Sequence, residues 1–209
     1  MRRLAMIAFA GLMLAPNAAD AQIAVSANDG KQVLVDGVQT VPDPLVADSV
    51  TILEFASGAP RIVATLAAPT SVIGPPRSVA VAPDESFVLV TSARRVSETD
   101  PAQIVPDDRL TVIDLRAPGP RVTQTLRAGA GASGVAINPA GTLALVANRA
   151  AGTISVFAID KGQLTPVSVL SVGDARSAPA QPLFFAGGTR ALVSRDGDHR
   201  IALLAIEGR

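Results

Sequence analysis

GVAINPAGTLALVANRAAGTISVFAID, from Gly134 to Asp160, decides the fold. It opens on a β-branched run, turns at Pro139-Ala140-Gly141, and returns through Leu143-Ala144-Leu145-Val146-Ala147-Asn148. Proline and glycine at the turn supply the backbone angles that a tight hairpin demands. A third strand-forming run, Thr153 to Ile159, follows, and a fourth, Pro166 to Val172, comes after it. The run from Leu143 to Ala147 is apolar at consecutive positions, so the strand it predicts is covered on both faces of its sheet.

The same arrangement recurs outward along the chain. Further copies of the opening hairpin are IAVSANDGKQVLVDG (Ile23 to Gly37), SVAVAPDESFVLVTS (Ser78 to Ser92) and PLFFAGGTRALVSRD (Pro182 to Asp196). Their turns are expected at Asn28-Asp29-Gly30, Pro83-Asp84-Glu85 and Gly187-Gly188. Third strands are expected at Ser49 to Phe55, Arg109 to Leu115 and Arg200 to Ile206, and outer strands at Arg61 to Ala67 and Arg121 to Arg127. The chain ends before a fourth strand of the last unit. Third strands are separated by 60, 44 and 47 residues (Val50, Leu110, Ile154, Ile201), which fits a period in the mid-forties with one insertion. That insertion is Ala93 to Asp108, expected as a polar loop, and Val38 to Asp48 forms a comparable loop in the first unit. Long loops are where functional groups are usually mounted.

No helix is expected to cover these strands. Seventeen Gly and 16 Pro interrupt the chain so often that, beyond the leader, the longest stretch free of both is Asp84 to Asp100, which itself contains a strand. Sheets must then cover sheets. A four-stranded unit repeating every forty-odd residues, with both faces buried, predicts an all-β fold of radially stacked blades, a β-propeller. The expected boundaries are 1–21 for a leader and about 22–75, 76–131, 132–178 and 179–209 for four blades of four antiparallel strands, the last incomplete.

At this point the sequence resembles the YVTN-type β-propellers, a WD40-like group that includes lactonase-like members. The resemblance rests on the hairpins of the P-x-x-V-A-V-x-P-D/A-G kind and on the tetrapeptide closing the second strand. That tetrapeptide is read as Leu34-Val35-Asp36-Gly37, Leu89-Val90-Thr91-Ser92, Leu145-Val146-Ala147-Asn148 and Leu192-Val193-Ser194-Arg195, with Leu where the family has Tyr. It covers essentially the whole chain after the leader. Propellers of this kind serve as enzymes, binding proteins and surface-layer modules, so the resemblance implies architecture and leaves the activity open. Family members resemble seven-bladed rings, whereas four blades leave an apolar blade face at each end. Three remedies follow: pairing with a second copy into a homodimer that closes the ring, truncation of a longer gene product, or closure as a four-bladed ring.

The leader is MRRLAMIAFAGLMLAPNAADA, with Arg2 and Arg3 before an apolar run and an A-x-A site at Ala19 to Ala21. It reads as a secretory signal peptide, too short in its apolar run to span a bilayer, so a periplasmic or secreted product starting near Gln22 is expected, with no later membrane span. Arg2-Arg3 also raises a twin-arginine route. Composition removes several functions. With no Cys and one His, zinc clusters, iron-sulfur centres, thiol nucleophiles and disulfides are excluded. Eighteen basic and 18 acidic residues cancel, and the only aromatic residues are six Phe, so no nucleic-acid partner is expected.

Few residues gather into a chemical pattern. Asp196-Gly197-Asp198-His199 is the one place where carboxylates meet the His; a divalent ion is weighed there against a β-turn between strands, which is the reading adopted. Ser194, Asp196 and His199 make a nominal hydrolytic trio, but groups so close on one strand and turn rarely converge as nucleophile, base and orienter. Arg94, Arg95, Glu98, Asp100, Asp107 and Asp108 occupy the insertion and are the candidate binding loop at a channel mouth, weighed against a solvated, self-neutralising loop. Gly129 to Gly134 lacks the Lys-Ser/Thr ending of a phosphate loop and precedes a strand, so it reads as a connection between blades. Sixteen Arg against two Lys are scattered and matched by acids. No catalytic residue, cofactor or metal is assigned. The leading expectation is a non-catalytic binding or interaction scaffold for a protein or small molecule, with a lactonase-like hydrolase or a part of a periplasmic oxidoreductase system as the alternative.

Overall fold

A computed structural model describes residues 23–55, 59–71, 77–116 and 118–207. The expected leader lies outside them. The described chain is built from strands, with short 3-10 turns at Ala175–Ser177 and Ala186–Gly188.

The second and third blades are complete. Blade two comprises β6 (Val79–Val81), β7 (Phe87–Val96), β8 (Ile104–Asp114) and β9 (Arg121–Arg127), paired in that order. Blade three comprises β10 (Ala132–Ile137), β11 (Leu143–Asn148), β12 (Thr153–Asp160) and β13 (Gln163–Ser171). All pairings are antiparallel. Blade four has β14 (Pro179–Phe185), β15 (Arg190–Arg195) and β16 (Arg200–Ala205). The first strands, β6, β10 and β14, are innermost and pack on one another from blade to blade, while the outer strands β9 and β13 are largely exposed. At this inner packing a Cβ on Gly134 would overlap the carbonyl oxygen of Ala180, so β10 and β14 approach as closely as they do only because residue 134 has no side chain.

Alternation along each two-sided strand makes the junctions. Phe87, Leu89, Leu110 and Val112 of blade two meet Ala144, Val146, Phe157 and Ile159 of blade three. The opposite side of blade three offers Leu143, Leu145, Ile154 and Val156 to Ala191, Val193 and Leu204 of blade four. Burying both faces in this way accounts for the uninterrupted apolar runs.

Blade one departs from expectation. β1 (Ile23–Asn28) does not pair with the next run in sequence; it pairs directly with β4 (Ser49–Glu54), which pairs with β5 (Arg61–Ala67). The intervening β2 (Val33–Val35) and β3 (Val38–Thr40) form a separate hairpin that turns at Asp36-Gly37, both at positive φ. Asp36-Gly37 meets the chemistry of a two-residue hairpin turn, and this hairpin holds the strand that the repeat alone assigned to the blade. The second-strand tetrapeptide of blade one is therefore Val25-Ser26-Ala27-Asn28, not Leu34-Val35-Asp36-Gly37. The register proves the equivalence: Asn28 faces Ser49 as Asn148 faces Thr153. In both blades the Asn amide donates to two hydroxyls of the third strand, Ser49 and Thr51 in one and Thr153 and Ser155 in the other.

Two further expectations are corrected. The insertion is not a loop: β7 and β8 run on past a bulge at Ser92/Arg94 and pair Arg94 with Pro106, Arg95 with Val105 and Val96 with Ile104, giving a raised hairpin. Closure as a four-bladed ring, one of the three remedies weighed for the ends, is not seen, and Leu183, Ile201 and Leu203 on the free side of blade four are exposed. Nor are both terminal faces apolar, since Ser26 and Asn28 are exposed on the free side of blade one.

Candidate functional site

One end of the blade stack carries the turns between second and third strands and the connections that enter each new blade. Backbone hydrogen bonds knit these together: Arg149 N–H donates to the Gly131 carbonyl (2.8 Å) and Asp196 N–H to that of Ala178 (3.1 Å). Asp174 caps the 3-10 turn in the connection to blade four, accepting from the backbone N–H groups of Arg176 and Ser177. Hydrogen bonds from Arg176 hold the Asp174 carboxyl below its usual range. We call this end the mouth.

Both hairpins rise near it. The β2–β3 excursion is rooted by buried Lys31, whose ammonium donates to Asp29 (3.0 Å), Asp48 (2.8 Å) and the Thr70 carbonyl. Asp48 also accepts from the N–H groups of Gly30 and Thr70. One cation thus ties both ends of the excursion to the base of the next connection, leaving the hairpin above it apolar and exposed at Leu34, Val35 and Val38. The second hairpin is rooted by Asp107, whose buried carboxylate accepts from Arg109 Nε (2.8 Å), Arg109 Nη2 (2.6 Å) and the Asp108 N–H. Burial alone pushes the Asp107 carboxyl up, but hydrogen bonds from Arg109, Ser92 and the Asp108 N–H together outweigh it and hold the group below the ordinary carboxylate range.

Between the hairpins lies a cleft of about 730 Å³, walled by Val41, Pro42 and Leu45 on one side and Val96, Ala102 and Ile104 on the other, with Gln39, Thr40 and Asp43 at its rim. Arg94 reaches from the second hairpin to the first, donating to Gln39 Oε1 at 3.4 Å. A smaller pocket of about 280 Å³ adjoins, lined by Arg94, Ile104, Pro106, Arg149 and Ala178. Arg77 and Arg149 converge from two blades on Asp196 of a third, at 3.3 and 2.9 Å.

The six residues expected as a binding loop are not one cluster. Arg94 reaches the mouth. Arg95 and Glu98 pair with each other on the exposed flank (2.9 Å), and Asp100 shapes the hairpin tip by accepting from Ala102 N–H and Gln103 Nε2. Asp107 is buried, and Asp108 pairs with Arg127 outside the cleft. Asp196 to His199 form the turn between β15 and β16; Asp196 is taken by the two arginines, Asp198 by Arg195, and His199 is exposed at positive φ. Ser194 Oγ accepts from the Gln181 N–H. Among the described residues no group of three or more His, Asp or Glu side chains is placed to hold a metal. Gly131, at positive φ, connects blades two and three.

Sequence reasoning missed Arg77, Arg149 and the apolar cleft walls. The walls left a signal in the apolar Val41 and Leu45 of the excursion; the arginines left none, because only stacking of blades brings them to Asp196.

Three solved structures fix the comparison. A candidate 6-phosphogluconolactonase from Bacteroides uniformis superposes with a TM-score of 0.59 at 13% identity, over 88% of this chain and 53% of that one. The periplasmic gluconolactonase PpgL of Pseudomonas aeruginosa gives 0.52 at 18% identity, over 84% and 52%. The β-propeller domain of Myceliophteria thermophila Cps50 (Swd1) gives 0.53 at 12%, over 85% and 54%. The fold is a partial β-propeller. At these identities the likeness shows the fold alone, and this chain spans about half the length of the structures it matches. No protein-family model matches the chain, and no curated protein matches it in sequence. Among the described residues no helix is long and apolar enough to cross a membrane.

Proposed function

We propose that this chain is an exported propeller of the YVTN type that acts as a recognition scaffold, binding its ligand in the cleft between the two raised hairpins. The observation that carries the reading is the cleft itself: about 730 Å³ of largely apolar space with amide and hydroxyl groups at the rim, the make-up of a small-molecule or peptide-segment site. Nearby, Asp107 and Asp196 are engaged by arginines and Asp100 by the Ala102 N–H. Periplasmic or secreted location is part of the same proposal and rests on the leader.

A lactonase-like reading draws on a different observation. Arg77, Arg94 and Arg149 gather at the mouth and suit an anionic substrate. One set of experiments separates the two. Amide resonances of labelled protein are followed while a library of small apolar amides is titrated, and δ-gluconolactone hydrolysis is assayed on the same sample. The scaffold reading expects shifts clustered at Gln39, Thr40, Val96 and Ile104, abolished by Ile104→Arg, and hydrolysis at the buffer rate. Hydrolysis that falls with Arg149→Ala, or no shifts at the cleft, overturns it.

A further inference from the structure

The small pocket beside the cleft is lined by two cations and no acid. Arg94 and Arg149 enter it from blades two and three, among the apolar side chains of Ile104, Pro106 and Ala178. Arg94 is half-buried, and among the described residues its guanidinium makes one hydrogen bond, the 3.4 Å contact to the neutral amide oxygen of Gln39. Arg149 gives its bonds to Asp196 (2.9 Å) and to the Ala178 carbonyl (3.3 Å) from Nη1, so its Nε and Nη2 make none among the described residues. Asp196 is in turn shared with Arg77, so that three guanidinium groups meet one carboxylate at this part of the mouth. The acids nearby hold arginines of their own: Asp107 holds Arg109, Asp108 holds Arg127, and Asp174 holds Arg176. The pocket therefore carries an excess of positive charge, and the planar donor set of a guanidinium matches a carboxylate.

This charge stands against an apolar space. Ile104 lines the small pocket and the cleft alike, and the bond from Arg94 to Gln39 spans the same boundary. The one acid among the described residues lining the cleft is Asp43, at its rim. We infer that the ligand of the cleft is an organic acid with an apolar body, its carboxylate held by Arg94 and Arg149 and its chain lying past Ile104 between Val41, Leu45 and Val96, a conclusion that rests on the cleft being the recognition site. A small inorganic anion would leave the apolar walls unused. A neutral apolar molecule would leave the two guanidinium groups without a counter-charge, and a polyhydroxylated acid would set its hydroxyls against aliphatic walls that offer them no partner.

The test is isothermal titration calorimetry on the full chain with octanoate, octanamide and acetate. Octanoate is expected to bind about tenfold more tightly than octanamide, because the charged head makes the stronger hydrogen bonds, with acetate unbound at the same concentrations. Arg94→Gln and Arg149→Gln should each bring the ratio of the two affinities toward one, with circular dichroism to check that each variant folds. A second arm needs no variant: raising NaCl from about 20 to about 500 mM should erase most of the preference, since the pocket is open enough for salt to screen it. Equal affinities for octanoate and octanamide, or a preference that survives both substitutions and salt, would overturn the inference and leave the cleft standing as a recognition site. Acetate bound as tightly as octanoate would overturn it by showing the apolar walls idle. Failure of both octanoate and octanamide to bind would overturn the cleft reading and the inference with it.

Discussion

Asn28 and Asn148 hold the same place in two blades and make the same two hydrogen bonds to hydroxyls of the neighbouring strand, yet one is exposed and the other wholly buried. Their Oδ1 atoms differ: that of Asn28 accepts from Ser26 Oγ on its own strand (2.9 Å), and that of Asn148 accepts the N–H of Gly129, in the connection arriving from blade two (2.9 Å). The strand chemistry is local, and the preceding blade converts it into a junction. A β-propeller repeat therefore carries contacts that have value only when the neighbour is in place.

The comparison can be broken most sharply at its largest side chains. Phe157→Ala empties the centre of the junction between blades two and three and should cost about 3–5 kcal/mol, whereas Leu53→Ala, at the same register of blade one, should cost about 1 kcal/mol in a monomer. Urea titrations of the two variants measure both; equal costs at low protein concentration would show that something already covers blade one. Next come the amides themselves. Asn148→Ala orphans the Gly129 N–H and two hydroxyls in the interior, and about 2–3 kcal/mol should be lost, against about 0.5 kcal/mol for Asn28→Ala.

A smaller effect sharpens the contrast between the hairpin roots. The Asp107 carboxyl sits lower in the folded chain than in the unfolded one, so the folded state holds fewer protons and stability rises with pH through that window. Its contribution is complete above the ordinary carboxylate value of 3.8 and fades as pH falls through the lowered folded value. Melting temperatures between pH 6 and pH 2.5 should decline more steeply for the native chain than for Asp107→Asn; parallel curves would show that the root is not held by this ion pair. Smallest is the mouth: Arg149→Ala removes a partly exposed ion pair with Asp196 and should cost less than about 1 kcal/mol, diminishing further in salt. A larger loss would make the mouth a structural clamp.

Much of this was legible in the chain. Blades two and three follow from consecutive apolar positions and turn residues, and β9, β11 and β12 lie within a residue of where their sequences place them. Blade one was misread because two hairpin signals competed. Asn28-Asp29-Gly30 and Asp36-Gly37 both satisfy local turn chemistry, and only the buried Lys31 ion cluster, formed with the distant Asp48, removes the first from contention. The insertion was misread because its Pro, Asp and Arg content conceals the alternation of Val96, Ile104 and Arg94 that lets the strands run on. The candidate site was hardly legible at all, since its walls come from separate blades.

What the sequence determined by itself was the class of each strand, the turns between them and the two-sided burial that makes the fold a stack of blades, because those depend on side-chain period and backbone preference over a few residues. What only the tertiary structure decided was which run enters blade one and how Arg77 and Arg149 meet Asp196. Those depend on distances between residues far apart in the chain, and no local preference encodes them.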